Sequence, residues 1–119
     1  VPMLPARGGD AYVKLAHPAS GFAVVGVAAR VVLDEKGGVA QVSVGVTGVA
    51  AKPYRATAVE GLLRGKAATS SRRLQEAAGR AADGVDATGD IYASAEYRRH
   101  LANVYTRRAL EKAIERARA

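Results

Sequence analysis

Phe22-Ala23-Val24-Val25-Gly26-Val27-Ala28-Ala29-Arg30-Val31-Val32-Leu33 is followed, after Asp34-Glu35-Lys36-Gly37-Gly38, by Val39-Ala40-Gln41-Val42-Ser43-Val44-Gly45-Val46-Thr47-Gly48-Val49. In the first run the bulky residues Val25, Val27, Val31 and Leu33 alternate with Gly26, Ala28 and Arg30. In the second, Val42, Val44 and Val46 point one way and Gln41, Ser43, Gly45 and Thr47 the other. A period of two is that of a strand with one buried face. The intervening acidic and glycine residues suit a hairpin loop, because glycine takes positive φ without cost. The pair therefore reads as an antiparallel hairpin with one face in a core and one face polar or closely approached.

Upstream, Ala11-Tyr12-Val13-Lys14-Leu15 repeats the alternation, with Tyr12 and Lys14 opposite Val13 and Leu15, and His17-Pro18-Ala19-Ser20-Gly21 breaks it. Downstream the pattern turns helical. Pro53 can open a helix over Arg55 to Arg64, whose apolar side is Ala58, Val59, Leu62 and Leu63 and whose stop is Gly65. Thr69 or Ser70 caps a second helix to about Ala82, stopped by Gly84. After a loop from Val85 to Tyr92, Ser94 caps a long helix from Ala95 to about Arg116. Tyr97, Leu101, Val104, Tyr105 and Ala109 share a face of that helix. Leu110 and Ile114 fall off it, so they either pack within the domain or face a partner. Strands first and helices after predict an α+β fold, a two-layer sandwich with three helices packed on one face of an antiparallel sheet.

The chain has 119 residues, the size of one domain. It has no Cys, which excludes disulfides, thiolate metal sites and cysteine nucleophiles. No apolar run is long enough to span a bilayer, and the opening Val1-Pro2-Met3-Leu4-Pro5 lacks the features of a secretion signal. A cytoplasmic setting is expected. Residues 1–10 read as a linker, with Val1 a cut at a domain boundary or a processed end, and residues 11–119 as the folded domain.

The net charge of +7 raises nucleic acid as a partner. Against it, Arg98-Arg99 and Arg107-Arg108 share a helix with Glu96, Glu111 and Glu115, and the five Tyr form no stacking platform for bases. A solvated or subunit-facing helix is the simpler reading, and no nucleic-acid partner is expected. Catalytic groupings are absent. His17 and His100 have no ligand-spaced companions, so no metal site is expected. No serine stands in a nucleophile elbow, and no glycine pattern makes a phosphate loop. Asp83, Asp86 and Asp90 lack the spacing of a calcium loop.

Four segments carry a resemblance: Tyr12-Val13-Lys14-Leu15; Phe22-Ala23-Val24-Val25-Gly26-Val27-Ala28-Ala29; Gly48-Val49-Ala50-Ala51-Lys52-Pro53-Tyr54-Arg55-Ala56; and Asp90-Ile91-Tyr92-Ala93-Ser94-Ala95-Glu96-Tyr97-Arg98-Arg99-His100-Leu101, running into Arg107-Arg108-Ala109-Leu110. In this order the chain resembles the C-terminal domain of the FAD-binding medium subunit of molybdenum hydroxylases, the aerobic carbon monoxide dehydrogenase and xanthine dehydrogenase family. The resemblance implies a sheet of three to four strands with three helices. It implies FAD held mainly by two N-terminal domains, and an oxidoreductase complex in which the isolated domain has no catalytic site. Its partners would be an iron–sulfur small subunit and a molybdopterin large subunit, with electrons passing through [2Fe-2S] clusters to FAD. It implies that Lys14, on the first strand, reaches toward the flavin cofactor; an ammonium offers a point charge and three donors. On alternation alone, Lys14 reads as the polar residue of an edge strand. Arg55 and Arg98 serve subunit contacts, pair with Glu60 and Asp90, or simply face solvent.

The alternative is a stand-alone basic binding module for nucleic acid or a protein scaffold. Titration with mixed-sequence DNA and RNA at two salt concentrations separates the readings. The flavoprotein reading expects no submicromolar binding near physiological salt, whereas tight binding with a steep salt slope supports the basic module.

Overall fold

The computed structural model describes residues 8–16, 23–34, 37–50, 52–65, 71–85, 87 and 94–118. Four strands, β1 (Gly8–Ala16), β2 (Ala23–Leu33), β3 (Val39–Thr47) and β4 (Tyr54–Arg55), precede three helices, α1 (Thr57–Leu63), α2 (Ser71–Ala78) and α3 (Ala95–Arg118). The sheet is antiparallel in the order β1-β2-β3-β4. The helices lie on one face, as the α+β sandwich requires.

The alternation set the register. Ala11 stands opposite Ala29, Val13 opposite Val27 and Leu15 opposite Val25; across the next ladder Val27 meets Val46 and Val31 meets Val42. Val25, Val27, Val31, Val42, Val44 and Val46 are all buried beneath the helices. A slip of one residue would expose this whole set, so burial of the valines specifies the pairing. At the β2–β3 turn, Gly37 takes φ +80°. The Asp34 carboxylate accepts the Gly38 N–H at 2.8 Å, replacing a strand partner that the turn removes.

Helix α3 begins as expected. The Tyr97 N–H donates to Ser94 Oγ at 3.1 Å, satisfying one of the orphan donors of the first turn. Leu110 and Ile114 are buried, so the first of the two readings holds and they pack inside the domain. Tyr97, by contrast, is 47% exposed. The reason is that α3 faces the sheet largely with Ala102, Ala109, Ala113 and Ala117, all buried. Alanines contribute little to an apolar stripe but allow close approach. At the closest point β1 offers Gly9: a Cβ there would overlap the Ala113 carbonyl oxygen and the Ala117 backbone.

Several boundaries differ from the sequence reading. β1 starts at Gly8, so Gly8 to Asp10 are strand. β3 ends at Thr47, where Gly48, at φ +84°, turns the chain. Tyr54 and Arg55 form a short strand rather than the start of a helix. The edge of β3 still had unpaired backbone groups, and the chain spends two residues pairing with Gly45 and Val46 before the Ala56 N–H closes onto the Val44 carbonyl at 2.9 Å. Within α1, Val59 and Leu63 are buried but Leu62 is exposed. Helix α2 ends at Ala78 rather than Ala82, and the chain continues in tight turns to Gly84, at φ +71°. Tyr54 and Arg99 take carbonyls of this stretch as acceptors, which offsets the lost helical bonds. The proposed caps Thr69 and Ser70 lie outside the described residues, as do His17, Asp86 and Asp90.

Gly9→Ala tests the helix–sheet contact. Because backbone rather than a side chain tip blocks the new methyl, the substitution should cost about 2 kcal/mol or more in denaturant unfolding. Ala40→Gly, on an exposed position of β3, should cost only about 0.5–1 kcal/mol.

Candidate functional site

With the helices on one side, the other side of the sheet is left uncovered by the described residues, and the register assembles its surface in rows. Lys14, Gly26 and Thr47 make one row; Tyr12, Ala28, Gly45 and Arg55 the next; Asp10, Arg30 and Ser43 the third. Neighbouring strands lie about 4.8 Å apart, so each row crosses the sheet as a band of adjacent residues. The middle of the surface is nearly bare, because Ala28 and Gly45 have little or no side chain, and a Cβ placed on Gly45 would meet nothing within 4 Å. A hollow of about 390 Å³ lies over Ala28 and Gly45, walled by Tyr12, Thr47, Pro53 and Arg55. It adjoins a broader basin of about 920 Å³ edged by Asp10, Arg30, Ser43 and Arg116.

Cations rim this floor. Arg55 is fixed by Glu60, with Nε donating to Oε2 at 3.0 Å and Nη2 to Oε1 at 2.8 Å. Glu60 is 4% exposed, and its Oε2 also accepts the Val44 N–H at 2.9 Å. The carboxylate thus continues the ladder beyond β4 and holds a guanidinium in fork geometry. Here the sequence pairing of Arg55 with Glu60 is found. Lys14 is exposed on the same surface, and among the described residues no carboxylate pairs with it or with Arg30. Tyr54 lines the hollow, and its hydroxyl donates to the Ala81 carbonyl at 2.8 Å, tying the edge of the sheet to the turns after α2. Burial pushes its pKa up to about 12, against a smaller lowering by the Arg99 guanidinium.

The paired arginines have structural employment. Arg98 is buried and donates to the Gly48 carbonyl at 2.7 Å, and Arg99 donates to the carbonyls of Ala82 and Val85. Arg107 pairs with Glu111 at 3.0 Å, and Arg108 lies 5.2 Å over the Tyr105 ring. Asp83 is bound to Arg80 at 3.2 Å rather than to a ligand-like cluster. His100 stands apart from the sheet surface, in a cleft between α2 and α3. Among the described residues no three His, Asp or Glu side chains are grouped to hold a metal, and no helix is long and apolar enough to cross a membrane.

Sequence reasoning singled out Lys14 but missed Tyr12, Gly26, Ala28 and Gly45. Their signal was present as small residues at alternate positions of two consecutive strands. Only the register shows that they form one patch.

The sequence pattern of the CO dehydrogenase flavoprotein C-terminal domain matches residues 10–113. The chain belongs to that family. It is 31% identical, over 99% of its length, to the 6-hydroxypseudooxynicotine dehydrogenase complex subunit alpha of Paenarthrobacter nicotinovorans, and spans 40% of that protein. Its fold matches a chain of the carbon monoxide dehydrogenase of Hydrogenophaga pseudoflava with a TM-score of 0.88 and 32% identity, covering 98% of this chain and 40% of that one. The corresponding values for reconstituted CO dehydrogenase from Oligotropha carboxidovorans are 0.85, 31%, 98% and 40%. Quinoline 2-oxidoreductase from Pseudomonas putida 86, at 23% identity and a TM-score of 0.84, shares the fold. The family domain is therefore about two-fifths of the relatives it matches, all named as oxidoreductases or their subunits.

Tyr54 gives this domain an alkaline signature. Below pH 10 the phenol is protonated whether folded or unfolded. Above it the unfolded chain ionises first, while the fold holds the proton to about 12. Stability is therefore lost as pH rises through that window. Tyr54→Phe should lose about 1 kcal/mol at neutral pH, with the bond to Ala81, and should show a shallower alkaline decline. Equal slopes for the two proteins, measured by urea unfolding from pH 9 to 12, would contradict the assignment.

Proposed function

We propose that this domain is the C-terminal part of the flavoprotein subunit of a molybdenum hydroxylase, and that its uncovered sheet surface closes against FAD held mainly by domains preceding it. On this reading the residues ahead of β1 lead from those domains. The observation that carries the proposal is the exposed Lys14 ammonium on the surface that the helices leave open, beside a floor stripped of side chains at Ala28 and Gly45.

The residues fit the group. A dinucleotide combines flat rings, which need a bare surface, with a pyrophosphate, which needs cations. The floor supplies the first, and Lys14 and Arg30 supply the second. Lys14 would hold the cofactor as a point charge. Arg55, already neutralised by Glu60, would shape the wall of the hollow. FAD when bound would supply the exchange between the one-electron chemistry of [2Fe-2S] clusters and a two-electron acceptor. This chain's own residues would bind and orient it and exclude water from one side.

The iron–sulfur and molybdopterin subunits are the partners this reading assigns, in a cytoplasmic complex whose substrate is oxidised elsewhere than in this domain. Assembly and flavin retention are then the domain's whole contribution.

Lys14→Ala, placed in the complete flavoprotein subunit, should weaken FAD binding by about ten- to hundredfold, the span of one charge-assisted hydrogen bond. Lys14→Arg should recover part of the loss. Flavin content after gel filtration and the fluorescence quench on rebinding read this out. Unchanged retention in Lys14→Ala would remove the proposed role.

A further inference from the structure

Tyr12 is 56% exposed, yet it does not extend into solvent. Its hydroxyl end is folded down over Gly26: a Cβ built on that glycine would overlap the phenol oxygen, and would stand 3.0 Å from Cζ and 3.0 Å from Thr47 Oγ1. Thr47 Oγ in turn donates to the Gly26 carbonyl at 3.4 Å. Gly26 is buried although it lies on the face without helices, because these two side chains cover it. A ring whose end is seated in this way is held across the sheet while more than half of the residue remains open.

Its surroundings give that ring a use. Lys14 is two residues along the same strand and on the same face, about 6.5–7 Å away along β1. The bare floor of Ala28 and Gly45 lies in the row of Tyr12 itself, and Tyr12 walls one side of the hollow above it. A fixed aromatic surface, a bare floor beside it and a cation nearby suit a planar, electron-rich ring attached to an anionic chain. Packing against the helices does not account for Tyr12: the helix residue that lines this surface is Arg116, at the edge of the basin.

We propose that Tyr12 is the aromatic platform against which a planar ring of the flavin dinucleotide packs, and that Gly26 is a positioning residue that lets Tyr12 lie in place. The inference rests on the reading of this face as flavin-facing and adds residues to it. Gly26 acts through Tyr12 and touches no ligand itself. Its lack of a side chain creates the seat, and Thr47 closes the far side.

The test uses the complete flavoprotein subunit, with FAD as the probe, and reads the FAD dissociation constant together with the visible circular dichroism of bound flavin. Tyr12→Ala should weaken binding about two- to tenfold, the range of one aromatic pair, and alter the dichroism. Tyr12→Phe should stay within about twofold of the parent, since the ring is kept. Gly26→Ala should behave like Tyr12→Ala, because the new methyl displaces the phenol. Should Gly26→Ala fail to fold, the two Tyr12 variants decide the proposal. If Tyr12→Ala changes neither observable while Lys14→Ala still weakens FAD, the platform is overturned and the flavin-facing reading stands. If neither substitution has an effect, both fall. A loss in Tyr12→Phe as large as in Tyr12→Ala would show that the hydroxyl, and not the ring, makes the contact, and would also overturn the platform.

Discussion

The approach of helix α3 to the sheet is the constraint from which the rest of the molecule follows. Gly9 on β1 meets the α3 backbone at Ala113 and Ala117 with no room for a methyl group. Ala102 and Ala109 continue the same close-packed side of the helix. A helix held this near commits one sheet face to burial along its whole length, and the valines at alternate positions of β2 and β3 fill it. The opposite face is left to whatever the rest of the protein brings. Interior packing at near-crystalline density makes such a contact intolerant of added atoms, so the division of the sheet into a covered and an uncovered side is built into the backbone spacing.

The same economy appears at the edge of β3. A strand ending in solvent exposes unpaired donors and acceptors. Here the chain returns for two residues as β4, and then Glu60 accepts the next N–H, that of Val44. A buried carboxylate is costly unless it is paired and hydrogen-bonded. Arg55 meets that condition with two bonds. One ion pair thus closes the sheet and fixes the wall of the hollow. Tyr54 extends the arrangement to the turns after α2, and Arg98 and Arg99 pin carbonyls at Gly48, Ala82 and Val85. The basic character of the chain is partly spent on these internal acceptors, which is why a charge of +7 is a poor guide to its ligand.

The uncovered surface gains its character from what is missing. Ala28 and Gly45 clear a floor, Tyr12 and Arg55 wall it, and Lys14 lies on the same face one row along. Relatives of this family are portions of oxidoreductases more than twice as long as this chain, which spans 40% of each of those compared. A domain with a covered back and a bare, cation-rimmed front is suited to closing over a site that other parts of such an enzyme build.

The sequence by itself determined the order of strands and helices, the faces of β1, β2 and β3, the turn at Gly37 and the cap at Ser94. These depend on side-chain period and on local bonds between residues at most four apart, and both can be read along the chain. It also brought Lys14 to notice, through the resemblance. Tertiary structure alone decided that Tyr54 and Arg55 would be strand, that α2 would stop at Ala78, and that Tyr97 would be exposed while Leu110 and Ile114 were buried. Each of those outcomes was set by a partner distant in sequence: the free edge of β3, the side chains of Tyr54 and Arg99, and the alanine side of α3 against the sheet. The patch of Tyr12, Gly26 and Gly45 belongs with them, because residues from three strands become neighbours only when the register is fixed, and the register is fixed by burial on the other side of the sheet.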